Sequence, residues 1–297
     1  MITHERIKRA VSFSNTDDGL SITVDDRRNG FMIQNIDGIY AFTGDVVTTP
    51  YSYTDGSHYQ LTRAPQRNVV VTGVLFENFN ENRQLMYRIF RLKSRGRFAY
   101  IEPDYSTRYI DYYVESVEIS QERNIASFQI SLICADPFFY DDETSTVELA
   151  AWENDFEFEH NFLAAGEELG HREASMIKEI SNINGVSGIG MDITLTSIGN
   201  VTNPYVYIDT GERITLGTED DPFVLSSDMT VNICTLTGQK DITKTVGGIT
   251  TRINEVMDPL SSFFQLGTGV NTIGYNAASG AEYMSVTIKY RMRYLGV

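Results

Sequence analysis

Residues 127–149 read SFQISLICADPFFYDDETSTVEL. The stretch opens as a strand: Phe128, Ile130, Leu132 and Cys134 alternate with Gln129, Ser131 and Ile133. That period puts alternate side chains on opposite faces of a sheet. It then meets Asp136 and Pro137. Proline fixes its own φ and donates no backbone hydrogen bond, so a central strand does not run through Pro137. Three large rings follow, Phe138, Phe139 and Tyr140, and then Asp141, Asp142 and Glu143. A solvated linker has no use for three rings. The stretch therefore reads as a boundary between residues 1–138 and residues 139–297.

The charge balance changes at the same place. Residues 1–138 hold 15 Lys and Arg against 17 Asp and Glu, whereas the remainder holds 9 against 23, within a total of −16. The acidic half is read mainly as a solubility feature. It argues against a nucleic-acid-binding surface, which needs clustered cations. With 41% apolar residues the chain can bury a core, and its 17 Tyr and 16 Phe lean toward β structure. Cys134 and Cys234 each sit in an apolar run and are read as buried free thiols rather than a disulfide. Residues 1–13 hold no apolar segment of the signal-peptide kind, and no run of 18 apolar residues exists, so neither a secretory signal nor a membrane span is expected.

Before the boundary the pattern is α+β. Leu20, Ile22 and Val24, then Phe31 and Ile33, flank Asn29-Gly30, which predicts a hairpin. A second hairpin is expected around Asp55-Gly56. Its arms carry Tyr51, Tyr53 and Tyr59, and its Pro50 suits a projecting or edge hairpin. Residues 68–76 read as a buried strand. One helix is expected from Asn78, with Glu81 as a capping partner, to a stop at Gly96. Leu85, Ile89 and Leu92, widened by Met86 and Phe90, make its apolar stripe. Arg88, Arg91 and Arg95 belong to a basic face, read as solvated or as paired with acids of a neighbouring subunit. Strands return at 98–103, 109–120 and 125–134. After the boundary, short alternating runs separated by Gly, Asn and Asp turns predict a β-sandwich.

No catalytic constellation emerges, and the chain is read as a non-enzyme without metal or cofactor. Asp209-Thr210-Gly211 matches the aspartic-protease tripeptide, but that chemistry needs two carboxylates sharing a proton, and Glu212 follows where a small residue is usual. The simpler reading is a strand, a turn and a strand. His4, His58, His160 and His171 lie far apart with no metal spacing. Gly188-Ile189-Gly190 lacks the rest of a dinucleotide fingerprint. The lone Trp152 reads as packing rather than a sugar platform.

The order of these features resembles the distal tail proteins (Dit) of long-tailed phages, over the whole chain. Three motifs carry the likeness. The first is the strand ending in Asp136-Pro137-Phe138. The second, slightly shifted in frame, is Phe264, Leu266, Gly269, Asn271 and Ile273. The third is Tyr290, Arg291, Arg293, Tyr294 and Leu295. The resemblance implies a mainly β virion protein that forms a homo-hexameric ring around a channel for the genome. Residues 1–138 would be the ring-forming belt, with Tyr51, Tyr53, Tyr59 and the region of Arg88, Arg91 and Arg95 at the subunit interfaces. Residues 139–297 would be a galectin-like β-sandwich, with Pro137, Phe138, Phe139 and Tyr140 as a packed joint between the two domains. Implied partners are a tail-tube protein, a tail-associated lysin or tail fibre, and a receptor-binding protein. The alternative class is a carbohydrate-binding module that recognises the host wall through the sandwich. Against it, WENDFEF (152–158) and HNFLAAGEELGHRE (160–173) lack the sugar-binding strand patterns of true galectins.

Overall fold

The structure is a computed structural model describing residues 10–25, 30–101, 106–122, 125–149, 152–154, 170–172 and 176–297. The fold is mainly β, and the chain divides into two compact units. The first comprises Met1–Asp142 and Arg293–Val297, the second Glu143–Met292. The division falls after Asp142 rather than Phe138 because Phe139–Asp141 form a strand of the first unit's sheet.

The first unit contains β1 (Ala10–Asn15), β2 (Ser21–Asp25), β3 (Phe31–Asp37), β4 (Asp45–Pro50), β5 (Ser57–Arg63), β6 (Arg67–Leu75), α1 (Phe79–Ile89), β7 (Arg95–Ile101), β8 (Arg108–Glu122), β9 (Ile125–Cys134) and β10 (Phe139–Asp141). Its main sheet runs β2-β1-β7-β8-β9-β6-β3, with every neighbouring pair antiparallel. The opening stretch behaves as its pattern demands. In β9, Phe128, Ile130, Leu132 and Cys134 are buried while Ser127 and Gln129 face solvent, and the strand ends before Pro137. The chain then turns into β10, which pairs with β8 on one side and with Arg293–Tyr294 on the other.

The hairpin expected around Asn29-Gly30 does not form. β2 pairs with β1, and β3 pairs with β6, at opposite ends of the sheet order. Asn29 lies outside the described residues. The alternation was read correctly, but it reports which face is buried and not which strand is the neighbour. Ile22 of β2, Phe31 of β3 and Met86 of α1 line one apolar cavity of ≈ 20 Å³, so the two edge strands and the helix share a core.

The helix is shorter than its pattern suggests. It ends at Ile89, and Asn15 at the end of β1 supplies the reason: its Nδ2 donates to the Ile89 carbonyl at 3.2 Å and to Ser94 Oγ at 3.1 Å. A helix leaves its last carbonyls without partners, and a buried amide from another element caps one here. Asn78 makes no side-chain cap hydrogen bond. Met86, Ile89 and Phe90 are buried as expected, but Leu92 lies beyond the helix and is 62% exposed. Gly96 is not a helix stop. It sits in β7, where a Cβ would fall 2.3 Å from Cζ of the buried Tyr112, so the glycine makes room for the ring.

The second unit is a β-sandwich. One sheet has six strands in the order Ser145–Leu149, Met284–Tyr290, Met191–Ser197, Met229–Cys234, Asp241–Val246, Ile249–Arg252. The other runs Ile177–Asn182, Gly269–Ser279, Val201–Ile208, Arg213–Thr215, with Val224–Leu225 also paired to Val201–Ile208. Ile193, Ile233 and Ile288 of the first sheet meet Val206, Ile273 and Tyr275 of the second in one core. A further pair, Trp152–Asn154 with Gly170–Arg172, forms a two-stranded antiparallel sheet. The side chains of Trp152 and His171, together with His4 and His160, lie outside the described residues.

The second of the sequence motifs is part of this architecture. Phe264, Leu266 and Ile273 are fully buried, and Asn271 is 4% exposed. The Asn271 side chain accepts from the Gly267 N–H at 2.7 Å and donates to the carbonyls of Gly267, Gly269 and Ile180 at 3.2, 3.3 and 3.4 Å. It therefore holds a loop onto the neighbouring strand. Asn271→Leu leaves those buried groups unpaired, at about 1–3 kcal/mol for each group stranded. We expect the second unit's melting temperature to fall by several degrees, with the first unit unaffected, in differential scanning calorimetry.

Candidate assembly surfaces

Among the described residues no group of His, Cys, Asp and Glu is arranged to hold a metal ion, and no helix is long and apolar enough to cross a membrane. Asp209-Thr210-Gly211 is a turn between Val201–Ile208 and Arg213–Thr215, with Gly211 at φ +90°. Asp209 is exposed and its carboxylate accepts the Thr272 N–H at 3.1 Å. That is turn chemistry, since a proton-sharing dyad needs a second carboxylate in contact. Cys134 is fully buried and free, and Cys234 is free and half-buried. Burial pushes the Cys134 thiol up to about 12, against the pull of Arg67. In a Cys234→Ser chain no thiol should react with a disulfide reagent at pH 8 until denaturant is added.

The features that remain are surfaces. The first is the hairpin β4–β5. It forms a two-stranded sheet of its own, and all of its strand residues are exposed. Tyr53 is 99% exposed, Tyr59 56%, Tyr51 52% and Leu61 48%. Gly56 at the tip takes φ +103°, as the Asp-Gly signal predicts. Asp45 and Arg63 close the base with a 3.4 Å ion pair. An isolated two-stranded hairpin is at best marginally stable in water. This one presents Val46, Val47 and Leu61 along with its tyrosines and buries none of them.

The basic side chains grouped by sequence are dispersed by the fold. Arg88 is on α1 and exposed. Arg91 lies past the helix and pairs with Asp18 at 3.3 Å. Arg95 is on β7 and bonds Asp111 at 2.6 Å, alongside Arg97 at 2.8 Å. Burial alone would raise Asp111, but the bonds from Arg97 and Arg95 outweigh it and hold the carboxyl below its usual range. Two of the three arginines are therefore engaged within their own unit.

The rings of the boundary are placed by first-unit residues. Phe139 is fully buried, edge-on to Phe98 at 6.4 Å. Phe138 stacks on Phe42 at 6.2 Å and carries the Arg293 guanidinium at 4.2 Å. The Tyr140 hydroxyl donates to Asp136 at 2.7 Å, and its ring lies 6.0 Å from that of Tyr109. Sequence reasoning missed the residue around which they gather. Arg67 is 6% exposed, and its Nε donates to the Pro137 carbonyl at 2.8 Å and its Nη1 to the Gly38 carbonyl at 2.7 Å. Nη2 donates to the Leu295 carbonyl. The guanidinium also lies over the rings of Phe139 and Phe42 at 5.0 and 5.7 Å. A lone arginine at the start of a strand carries no signal for this; its partners are backbone carbonyls far away in sequence.

No family model and no curated protein matches the chain. Among solved structures, its fold is similar to those of phage hub and baseplate proteins. It is similar to the Dit protein (gp 19.1) of phage SPP1, a paradigm of the hub adsorption apparatus in phages infecting Gram-positive bacteria. The TM-score is 0.68 at 12% identity, over 96% of this chain and 99% of that one. It is also similar to a chain of the phage P2 baseplate in its activated conformation with calcium, with a TM-score of 0.51 at 12% identity, over 98% and 100%. The chain has the Dit fold.

Proposed function

We propose that the protein is a structural component of a phage or phage-like tail tip, a hub without enzymatic activity. The observation that carries this reading is the free-standing hairpin on a chain of Dit fold: an apolar, tyrosine-rich arm with no cover of its own. Aromatic residues are over-represented at interfaces, and a head-to-tail ring needs two different complementary surfaces. The hairpin, through Tyr51, Tyr53 and Tyr59, supplies one. The neighbourhood of exposed Arg88 supplies the other. Arg91 and Arg95 contribute there through the ion pairs that fix the surface.

In this reading six copies close around a channel that lets the genome pass. The ring joins a tail-tube protein to a tail-associated lysin or fibre, and offers the second unit to a receptor-binding protein. Negative-stain electron microscopy of the purified chain tests it. Class averages should show six-fold rings with a central opening. Isolated single-chain particles at all concentrations would refute ring formation.

A further inference from the structure

We infer that Arg67 and the segment Arg293–Val297 form a clamp that fixes the root of the hairpin and so sets its aim. The second part of this inference rests on the assembly role proposed above for the hairpin.

Among the described residues the hairpin strands pair only with each other, so their direction is set where the hairpin departs from the main sheet, with residues 38–44 leading into it. That root is held from three sides. Gly38, at φ +87°, lies so close to the next strand that a Cβ would fall 2.2 Å from the Asn68 carbonyl, and its own carbonyl takes the Arg67 Nη1 bond. Phe42, three residues before β4, lies against both the Arg67 guanidinium and the Phe138 ring. Gly296 abuts the root as well, since a Cβ there would lie 3.0 Å from the Ile39 carbonyl.

The segment that provides Gly296 is itself pinned. Arg108 donates to the Gly296 carbonyl at 3.0 Å and lies 3.8 Å over the Tyr294 ring. The Tyr294 hydroxyl donates to Asp141 at 2.9 Å. Arg67 closes the set by bonding Gly38, Pro137 and Leu295 at once. A guanidinium presents donors in a rigid planar fork, so three carbonyls held by one such group are fixed relative to each other. The chain enters the second unit beyond Asp142 and returns at Arg293. The clamp therefore ties the hairpin root to both crossing points.

The test uses nitroxide labels at Asp55→Cys and Glu118→Cys in a Cys234→Ser chain, with distances read by pulsed electron resonance. Tyr53→Ser and Tyr59→Ser are added so that subunit contacts do not hold the hairpin. The intact segment should give one narrow distance, and a chain cut after Met292 should broaden the distribution at least twofold. Unchanged width overturns the clamp. Should the cut chain lose its circular dichroism signal, Phe42→Ser, at a position 38% exposed, is read in the same way. In the chain with its tyrosines intact, Arg67→Lys should lower the light-scattering mass below that of the ring. Broadening with full ring mass overturns the link to assembly. If the tyrosine pair itself leaves the mass unchanged, the hairpin reading fails, and the width measurement still decides the clamp.

Discussion

Arg67→Met lowers the stability of the first unit by several kcal/mol, at about 1–3 kcal/mol for each buried carbonyl left without its donor. The origin is specific. Burial works against the guanidinium and lowers its pKa from the ordinary value, yet an arginine stays charged, so the site must satisfy the charge by other means. It does so with three backbone carbonyls and two aromatic faces. Methionine fills much of the volume and leaves Gly38, Pro137 and Leu295 with unmet acceptors. Cation–π contacts, at about 0.5–2 kcal/mol each, are lost as well. For a unit of this size the melting temperature should fall by roughly 10 °C or more. Arg67→Lys recovers little, since one ammonium cannot reproduce the fork. Calorimetry with an unchanged first-unit transition would remove Arg67 from its central place.

Tyr53→Ser combined with Tyr59→Ser gives the opposite profile: normal stability and lost assembly. Both side chains are largely or wholly in solvent, so the folded chain loses little by giving them up. Interface tyrosines commonly contribute 2 kcal/mol or more each when central. Two per interface weaken each subunit contact by about a thousandfold. The variant should melt like the parent, and light scattering at micromolar concentration should find subhexameric species.

The sequence was most legible where period and burial coincide. The alternation of β9 and the Pro137 break were readable because a strand with one buried face leaves a period of two, and proline ends a ladder. The helix was legible in kind but not in extent. Its apolar stripe continues to Leu92, while its real stop is a side-chain cap from Asn15, remote in sequence. The partners of β2 and β3 were illegible for a similar reason, because a turn signal is local and strand order is not. The hairpin was recognisable from its Pro50 and Asp-Gly tip. Arg91 and Arg95 looked like helix-face cations, because nothing local announces Asp18 or Asp111. Arg67 left no trace at all.

Ring closure is read from the solution mass of the purified chain by size exclusion with light scattering. A hexameric hub runs as a species of six times the 33.5 kDa chain mass. A monomer that persists as concentration rises, with its hairpin uncovered, would contradict it.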